Sequence, residues 1–362
     1  MQMIIELIIW IASILLEIFL ITIFGLQIYK IYLRNKTKIK TPNGISSLEE
    51  IELGGLKQWI FIRGMNRKNP VLIFLHGGPG APLAGLPSSR RLDSKLIEHF
   101  TLVHWDQRGA GKSYSSHIPI NSMSYDKLVE DCNELIDLVR KRFNKQKVFL
   151  VGHSSGSIIG IKTAHKYPEK IQAYVGVGQI INECERQKRS YNFVLKEAEK
   201  AKNKKIQKAI KIIGSPPYDT PEKFEQINRY IFRFGGVIHR NRVKQIGSFI
   251  LDFLTSPEYS LLEGFKTSMN KGFKFSLGAM WQEICNVNLT KEIQSIKVPV
   301  YFFEGKYDMA TPSDIVKSFY NKLGDKKNKK IVIFEKSAHV PMLEEKEKYE
   351  DSLINIVLKN AN

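Results

Sequence analysis

The sequence predicts an α/β protein: a mostly parallel sheet with helices on both faces, and a mainly helical cap inserted ahead of the strand that carries a candidate acid. Three observations predict it. Short continuous apolar runs recur at Val71 to Leu75, Thr101 to Trp105, Val148 to Val151 and Ala173 to Val177, the pattern of strands buried on both faces. Helix-spaced stretches alternate with them, over Ser124 to Phe143 (apolar Leu128, Leu135, Ile136 and Val139) and over Ser155 to Tyr167, which Pro168 ends. Finally, Gly178 to Lys297 breaks the alternation before it resumes. That segment carries Lys-studded helical stretches such as Glu183 to Ile213, and turns at Gly214-Ser-Pro-Pro217 and Gly235-Gly236.

Around this centre the remaining elements fall in order. Ser46 to Leu53 and Gln58 to Arg63, joined by Gly54-Gly55, read as an antiparallel hairpin at a sheet edge. Val298 to Phe303 and Lys330 to Phe334 return to strand, and Glu344 to Lys359 closes the chain as a helix. The expected organisation is a core in two parts, residues 46–177 and 298–362, with the cap over residues 178–297. An insertion of this length inside an α/β domain commonly covers a site.

The 362 residues are 43% hydrophobic and 25% charged, within the range of globular chains. The net charge is +19. Nucleic acid is not the expected partner, because the lysines are spread along the chain without zinc-finger spacing, an RNP-like aromatic run or a basic-zipper pattern. Abundant Lys, Ile and Asn point to background composition, with an anionic membrane surface as the functional alternative. Cys132, Cys184 and Cys285 are widely spaced and form no CxxC, so neither a disulfide framework nor a metal site is expected, and no cofactor motif is present.

Ile4 to Leu33 is almost wholly apolar, interrupted by Glu6, Glu17, Gln27 and Lys30. It exceeds the roughly 20 residues that span a bilayer. No basic residue precedes it and no small-x-small cleavage site follows it, which disfavours a cleaved signal peptide. Residues 1–33 are therefore expected to be a transmembrane helix, and residues 34–45 a basic linker ending in the turn Pro42-Asn43-Gly44. Lys30, Arg34, Lys36, Lys38 and Lys40 lie at or beyond its C-terminal end. The positive-inside rule then makes the chain single-pass, with its catalytic domain in the cytoplasm.

Gly152-His153-Ser154-Ser155-Gly156 is a G-x-S-x-G motif between a buried strand and a helix. Such a turn exposes the Ser154 hydroxyl as a nucleophile at the carboxyl end of the sheet. A hydroxyl needs a base, and His339, in a loop after the last strand, is the best placed of eight histidines. The base needs a carboxylate to fix its tautomer. Asp308 follows the preceding strand, with Glu304 and Asp314 as alternatives. The oxyanion needs preorganised N–H donors: one from Ser155, the other from the loop His76-Gly77-Gly78-Pro79-Gly80, with Gly78 first and Gly77 second. Arg108-Gly109-Ala110-Gly111-Lys112-Ser113 ends like a phosphate loop, but Asp106 stands where that motif needs a glycine.

With these residues in view, His-Gly-Gly-Pro-Gly at 76–80, Asp-Gln-Arg-Gly-Ala-Gly-Lys-Ser at 106–113, Gly-His-Ser-Ser-Gly-Ser at 152–157, Gly-Lys-Tyr-Asp at 305–308 with Thr311-Pro312, and Ser-Ala-His at 337–339 resemble the proline iminopeptidase family of α/β hydrolases. The resemblance runs from about Ile45 to the C-terminus, the cap excluded. It implies an α/β-hydrolase fold, Ser154, Asp308 and His339 as triad, and Gly78 and Ser155 as oxyanion donors. It also implies a small-molecule or short-peptide substrate, cleaved through an acyl-enzyme. The chain departs from the family in having Ser155 where Trp often follows the nucleophile. It also lacks the Trp-x-x-Trp-Glu-like cap motif that holds a substrate amine. The nearest candidates for that role are Trp281 and Glu283, with Glu183 as another. A carboxylesterase or acyltransferase acting on a non-peptide substrate is the alternative, and an inactive binding protein on the same fold the remote one.

Overall fold

The computed structural model describes residues 1–82, 95–269, 271–324 and 329–360. It opens with the 35-residue helix α1 (Gln2–Lys36), which is almost entirely exposed. The strands follow as β1 (Ile45–Leu53), β2 (Leu56–Gly64), β3 (Val71–Leu75), β4 (Thr101–Asp106), β5 (Val148–His153), β6 (Ile171–Val177), β7 (Val300–Gly305) and β8 (Lys329–Phe334). They form one sheet in the order β1-β2-β4-β3-β5-β6-β7-β8. β1 and β2 are antiparallel to each other, and β2 is antiparallel to β4. All the later pairings are parallel.

The sequence pattern explains this arrangement. β3, β4, β5, β6 and β7 are runs of apolar residues because helices cover both faces of the sheet. β1 instead alternates between exposed and half-buried positions, as an edge strand does. The helix α2 (Tyr125–Phe143) starts at Ser124, whose hydroxyl accepts from the Lys127 N–H, and ends at Asn144 in the left-handed conformation. α3 (Ser155–Lys166) continues directly from β5. One face of the sheet packs Trp105, Leu128, Leu135 and Ile158; the other packs Phe100, Phe149, Phe303 and Phe334.

Between β6 and β7 lie α4 (Glu183–Lys200), α5 (Lys204–Ile213), α6 (Pro221–Arg233), α7 (Arg242–Thr255), α8 (Leu261–Ser268) and α9 (Lys271–Cys285). The stretch expected as one helical run, Glu183 to Ile213, is thus two helices. Lys202 has φ +51°, and the Asn203 side chain accepts from the Ile206 N–H to start α5. A local capping interaction there outcompetes continuation of the helix. After β7, α10 (Ser313–Lys322) crosses to β8. The expected closing helix is present from Lys346: a separate helical turn at Pro341–Glu344 precedes α11 (Lys346–Ser352), which continues as π-helical turns over Leu353–Leu358.

Because β3, β5, β6, β7 and β8 are parallel, their carboxyl ends share one edge of the sheet. The loops after Leu75, His153, Val177, Gly305 and Phe334 therefore converge there.

Candidate active site

β5 passes into α3 with a single residue between them, and that residue is Ser154, at φ +53° and ψ −124°. A non-glycine residue held in this region costs on the order of 1–3 kcal/mol and persists only when its surroundings enforce it. The surroundings here are hydrogen bonds and very close packing. The Ser154 N–H donates to the Val177 carbonyl at 2.9 Å, and the Ser157 hydroxyl donates to the Ser154 carbonyl at 2.5 Å. A Cβ at Gly156 would lie 2.3 Å from the Leu75 carbonyl oxygen, so only glycine lets α3 approach β3 this closely. Ser155 is the first residue of α3, and its N–H is one of the unpaired donors of a helix N-terminus.

The glycine-rich loop after β3 lies directly against this turn. A Cβ at Gly77 would meet the Ser154 Cβ at 2.8 Å. Gly78 has φ +122°, and the Ala81 N–H donates to the Gly77 carbonyl at 3.1 Å. His76 fixes the loop from below. Its Nδ1–H donates to the Gly77 carbonyl at 2.9 Å, and its Nε2 accepts from the Gln107 N–H at 3.2 Å. Burial pushes the His76 imidazole down to about 4, so it is a neutral strut at neutral pH.

In the loop after β8, His339 donates from Nδ1 to Asp308 Oδ2 at 2.8 Å. Asp308 is fully buried and accepts three further hydrogen bonds. Its Oδ1 takes the Ala310 N–H at 2.8 Å and the Thr311 N–H at 2.7 Å, and its Oδ2 takes the Thr311 hydroxyl at 2.6 Å. The Thr311 oxygen also stands 3.1 Å from His339 Nδ1. The remaining ring nitrogen of His339, Nε2, is left to act on another group. His153 donates from Nε2 to the His339 carbonyl at 3.0 Å, and the two rings lie 4.8 Å apart. Burial, then the neighbouring His339, pushes the His153 imidazole down to about 3 and keeps it neutral.

The other two carboxylates considered for the acid do not bond to His339. Glu304 is buried, its Oε1 accepts from the Gln179 N–H at 3.2 Å, and burial followed by the charge of Asp308 raises its carboxyl well above the usual range. Asp314 is exposed and faces Arg189 at 3.4 Å. The phosphate-loop-like segment is held by Asp106, which accepts from the Lys112 N–H at 2.8 Å and from the Tyr259 hydroxyl at 2.5 Å. Burial pushes the Asp106 carboxyl up to about 6.

The three insertion residues singled out as substrate-binding candidates are all engaged by other protein groups. Glu183 is buried; its Oε2 accepts from Arg186 Nε at 2.6 Å and its Oε1 from Gln187 Nε2 at 2.9 Å. Glu283 accepts from the Tyr125 N–H at 2.9 Å and so caps α2; burial raises its carboxyl. Trp281 is buried against Phe224 and donates from Nε1 to the Asp219 carbonyl at 3.2 Å. The structure adds residues that spacing does not reveal. Tyr125 brings its hydroxyl to 3.2 Å from the Ser155 hydroxyl. Arg186 donates to the Ala310 carbonyl at 2.8 Å, which ties α4 to the Asp308 loop. Thr311 stands in a motif, but its place between Asp308 and His339 depends on how the loop turns.

A strained serine on a strand–helix turn, a histidine bonded to a buried carboxylate, and a glycine loop against the serine make this edge of the sheet the candidate active site. The chain belongs to the alpha/beta hydrolase fold family, whose sequence model matches residues 70–346. It is similar to the probable aminopeptidase YbaC of Bacillus subtilis, at 33% identity over 321 residues, covering 87% of this chain and 97% of that protein. It is also similar to a proline iminopeptidase of Saccharolobus solfataricus, at 26% identity over 80% of this chain and 84% of that one. Among solved structures, a bacterial membrane phospholipase A superposes with a TM-score of 0.62 over 99% of this chain and 98% of that one, at 17% identity, a likeness of fold alone.

Proposed function

We propose that the chain is a serine hydrolase that works through an acyl-enzyme, with Ser154 as nucleophile, His339 as general base and Asp308 as the carboxylate that orients the base. The observation that carries this reading is the His339 Nδ1–Asp308 Oδ2 hydrogen bond of 2.8 Å, at the sheet edge that also carries the half-buried Ser154. With the Nδ1 proton held by Asp308, Nε2 is the nitrogen that takes the serine proton. The Ser154 to His339 hydrogen bond closes when substrate binds, as catalytic hydrogen bonds commonly tighten in the Michaelis complex. The N–H groups of Ser155 and Gly78 receive the oxyanion. Water then resolves the acyl-enzyme.

The substrate proposed first is a small amide with a free amino terminus, the aminopeptidase reading drawn from the Bacillus subtilis relative. A second reading, an ester or other non-peptide acyl group, is favoured by one observation. The Glu183 carboxylate is neutralised by Arg186 and is not free to hold an amine. Residues 178–297 act as a cap, since Arg186 reaches the Ala310 carbonyl and the Val237 carbonyl accepts from the His339 N–H at 3.0 Å. α1 is a membrane anchor, and the basic residues at its C-terminal end keep the hydrolase on the cytoplasmic side.

A fluorophosphonate probe is expected to label the wild-type chain and not Ser154→Ala. Unlabelled wild type would sink the nucleophile assignment. A panel of aminoacyl-naphthylamides beside short-chain esters separates the two substrate readings: turnover of naphthylamides only with a free amine supports the first, and turnover confined to esters supports the second.

A further inference from the structure

We propose that the α7–α8 pair, together with the C-terminal part of α1, docks the insertion onto an anionic lipid bilayer. This rests on the proposal that α1 spans the membrane.

Amphipathic helices of a globular domain turn their apolar stripe inward. α5 does so: Ile206, Ile210 and Ile213 are buried while Lys205 and Lys208 face out. α7 and α8, by contrast, also present apolar residues to solvent. On α7 the exposed apolar residues are Val243, Ile250 and Leu251, spaced i, i+7, i+8 on one face. On α8 they are Leu262 and Phe265, spaced i, i+3, and Met269 follows at the C-terminal end of the helix. Val243 is 85% exposed and Leu262 61%. The two helices pack on each other, so their stripes belong to one region of the surface.

This surface is continuous with the anchor. α1 packs on α7. The covered residues of its C-terminal part are Ile23, Leu26, Lys30 and Leu33, spaced three and four apart on one face. Lys30 donates from Nζ to the Tyr259 carbonyl at 2.7 Å, and Arg34 donates to the Pro257 carbonyl at 3.1 Å. Both acceptors lie in the connection between α7 and α8, so the pair is fastened to the end of the anchor. The length of α1 fits as well. Residues 2–22, at a rise of about 1.5 Å each, cover about 30 Å, the thickness of a hydrocarbon core. The part of α1 clasped by α7 then begins where the headgroups begin.

Charge selects the kind of bilayer. Lys244 on α7, Lys266 on α8, Lys271 at the start of α9, and Lys36 and Lys38 at the end of α1 are all exposed. Basic side chains beside an apolar face are the pattern of helices that lie in an anionic interface.

The test uses the full-length chain with Cys184 and Cys285 replaced by serine, reconstituted in phosphatidylcholine–phosphatidylglycerol vesicles that contain brominated lipid. A bimane label is attached at Leu251→Cys, Leu262→Cys or, as control, Lys322→Cys on α10. The expected result is at least twofold quenching at 251 and 262 and none at 322, weakening when phosphatidylglycerol is omitted. Quenching at 251 and 262 no greater than at 322 overturns docking, and equal quenching in phosphatidylcholine alone overturns its anionic part. Carbonate extraction of the same samples reads the anchor separately. Protein retained in the pellet with unquenched labels rejects docking and keeps the span, whereas release into the supernatant rejects both.

Discussion

Asp308 accepts four hydrogen bonds inside the protein, and only one of them comes from His339. The other three hold the carboxylate in place whether or not the ring is there. Asp308→Asn should therefore fold and bind substrate, but it cannot stabilise the imidazolium and favours the wrong tautomer. We expect kcat to fall about 10³–10⁴-fold with little change in KM, read by steady-state kinetics on whichever substrate the panel yields. Asp106 gives a prediction in pH. Its folded carboxyl titrates near 6, above its ordinary value of 3.8. The folded state thus holds a proton that the unfolded state releases. The resulting stability is full below about pH 4 and is lost as pH rises through about 6. Asp106→Asn removes that dependence. Between pH 4 and pH 7 the stability difference should move in favour of the variant by about 2 kcal/mol, measured by denaturant unfolding. A constant difference across that range would overturn the assignment.

Among the elements, the loop after β4 is held by Arg108. Its guanidinium grips Asp131 of α2 at 2.8 and 2.9 Å, donates to the Gly54 carbonyl between β1 and β2, and reaches the Ser122 carbonyl. Both charges are buried, and Gln58 also donates to Asp131 at 2.7 Å. Removing one partner of such a pair leaves the other as an uncompensated charge. Arg108→Ala should cost about 3–5 kcal/mol, read from the denaturation midpoint of the solubilised chain. The same loop contributes Gln107 to the His76 strut, so the variant should also lower kcat. The sequence displays this segment as a glycine-rich run resembling a phosphate loop. Its use as a brace becomes visible only when Asp131, 23 residues further on, is placed beside it.

For the whole molecule, α1 is a long apolar helix whose most apolar stretch is not buried against the rest of the chain. A helix of this length exposed to water would carry a large unfavourable apolar surface. The chain should stay in the membrane fraction after high salt and after carbonate. In spheroplasts, protease added outside should leave the domain that follows α1 intact, and ready digestion would reverse the orientation argued from Lys30 to Lys40.

Much of this was legible in the residues themselves. Apolar runs of strand length, the helix spacing of residues 124–143, and Gly-His-Ser-Ser-Gly between a strand and a helix report local physics: burial on two faces, a 3.6-residue period, a turn that tolerates no extra Cβ. Each signal is short in range, so a linear reading detects it. The interruption of the helical run at Lys202 and Asn203 is equally local, but one capping side chain decided it against a favourable period. What the tertiary structure alone decided is pairing across distance. Glu304, Asp308 and Asp314 lie within eleven residues, at the end of β7, in the loop after it and in the first turn of α10, and spacing ranks them weakly. Only the convergence of β7 and β8 at one edge of the sheet joins Asp308 to His339, buries Glu304 behind it and leaves Asp314 in solvent. The same holds for Glu183 and Glu283, whose charges are absorbed by Arg186 and by the first turn of α2. Sequence determines which groups are available, while the free energy of burying a charge depends on what the fold sets beside it.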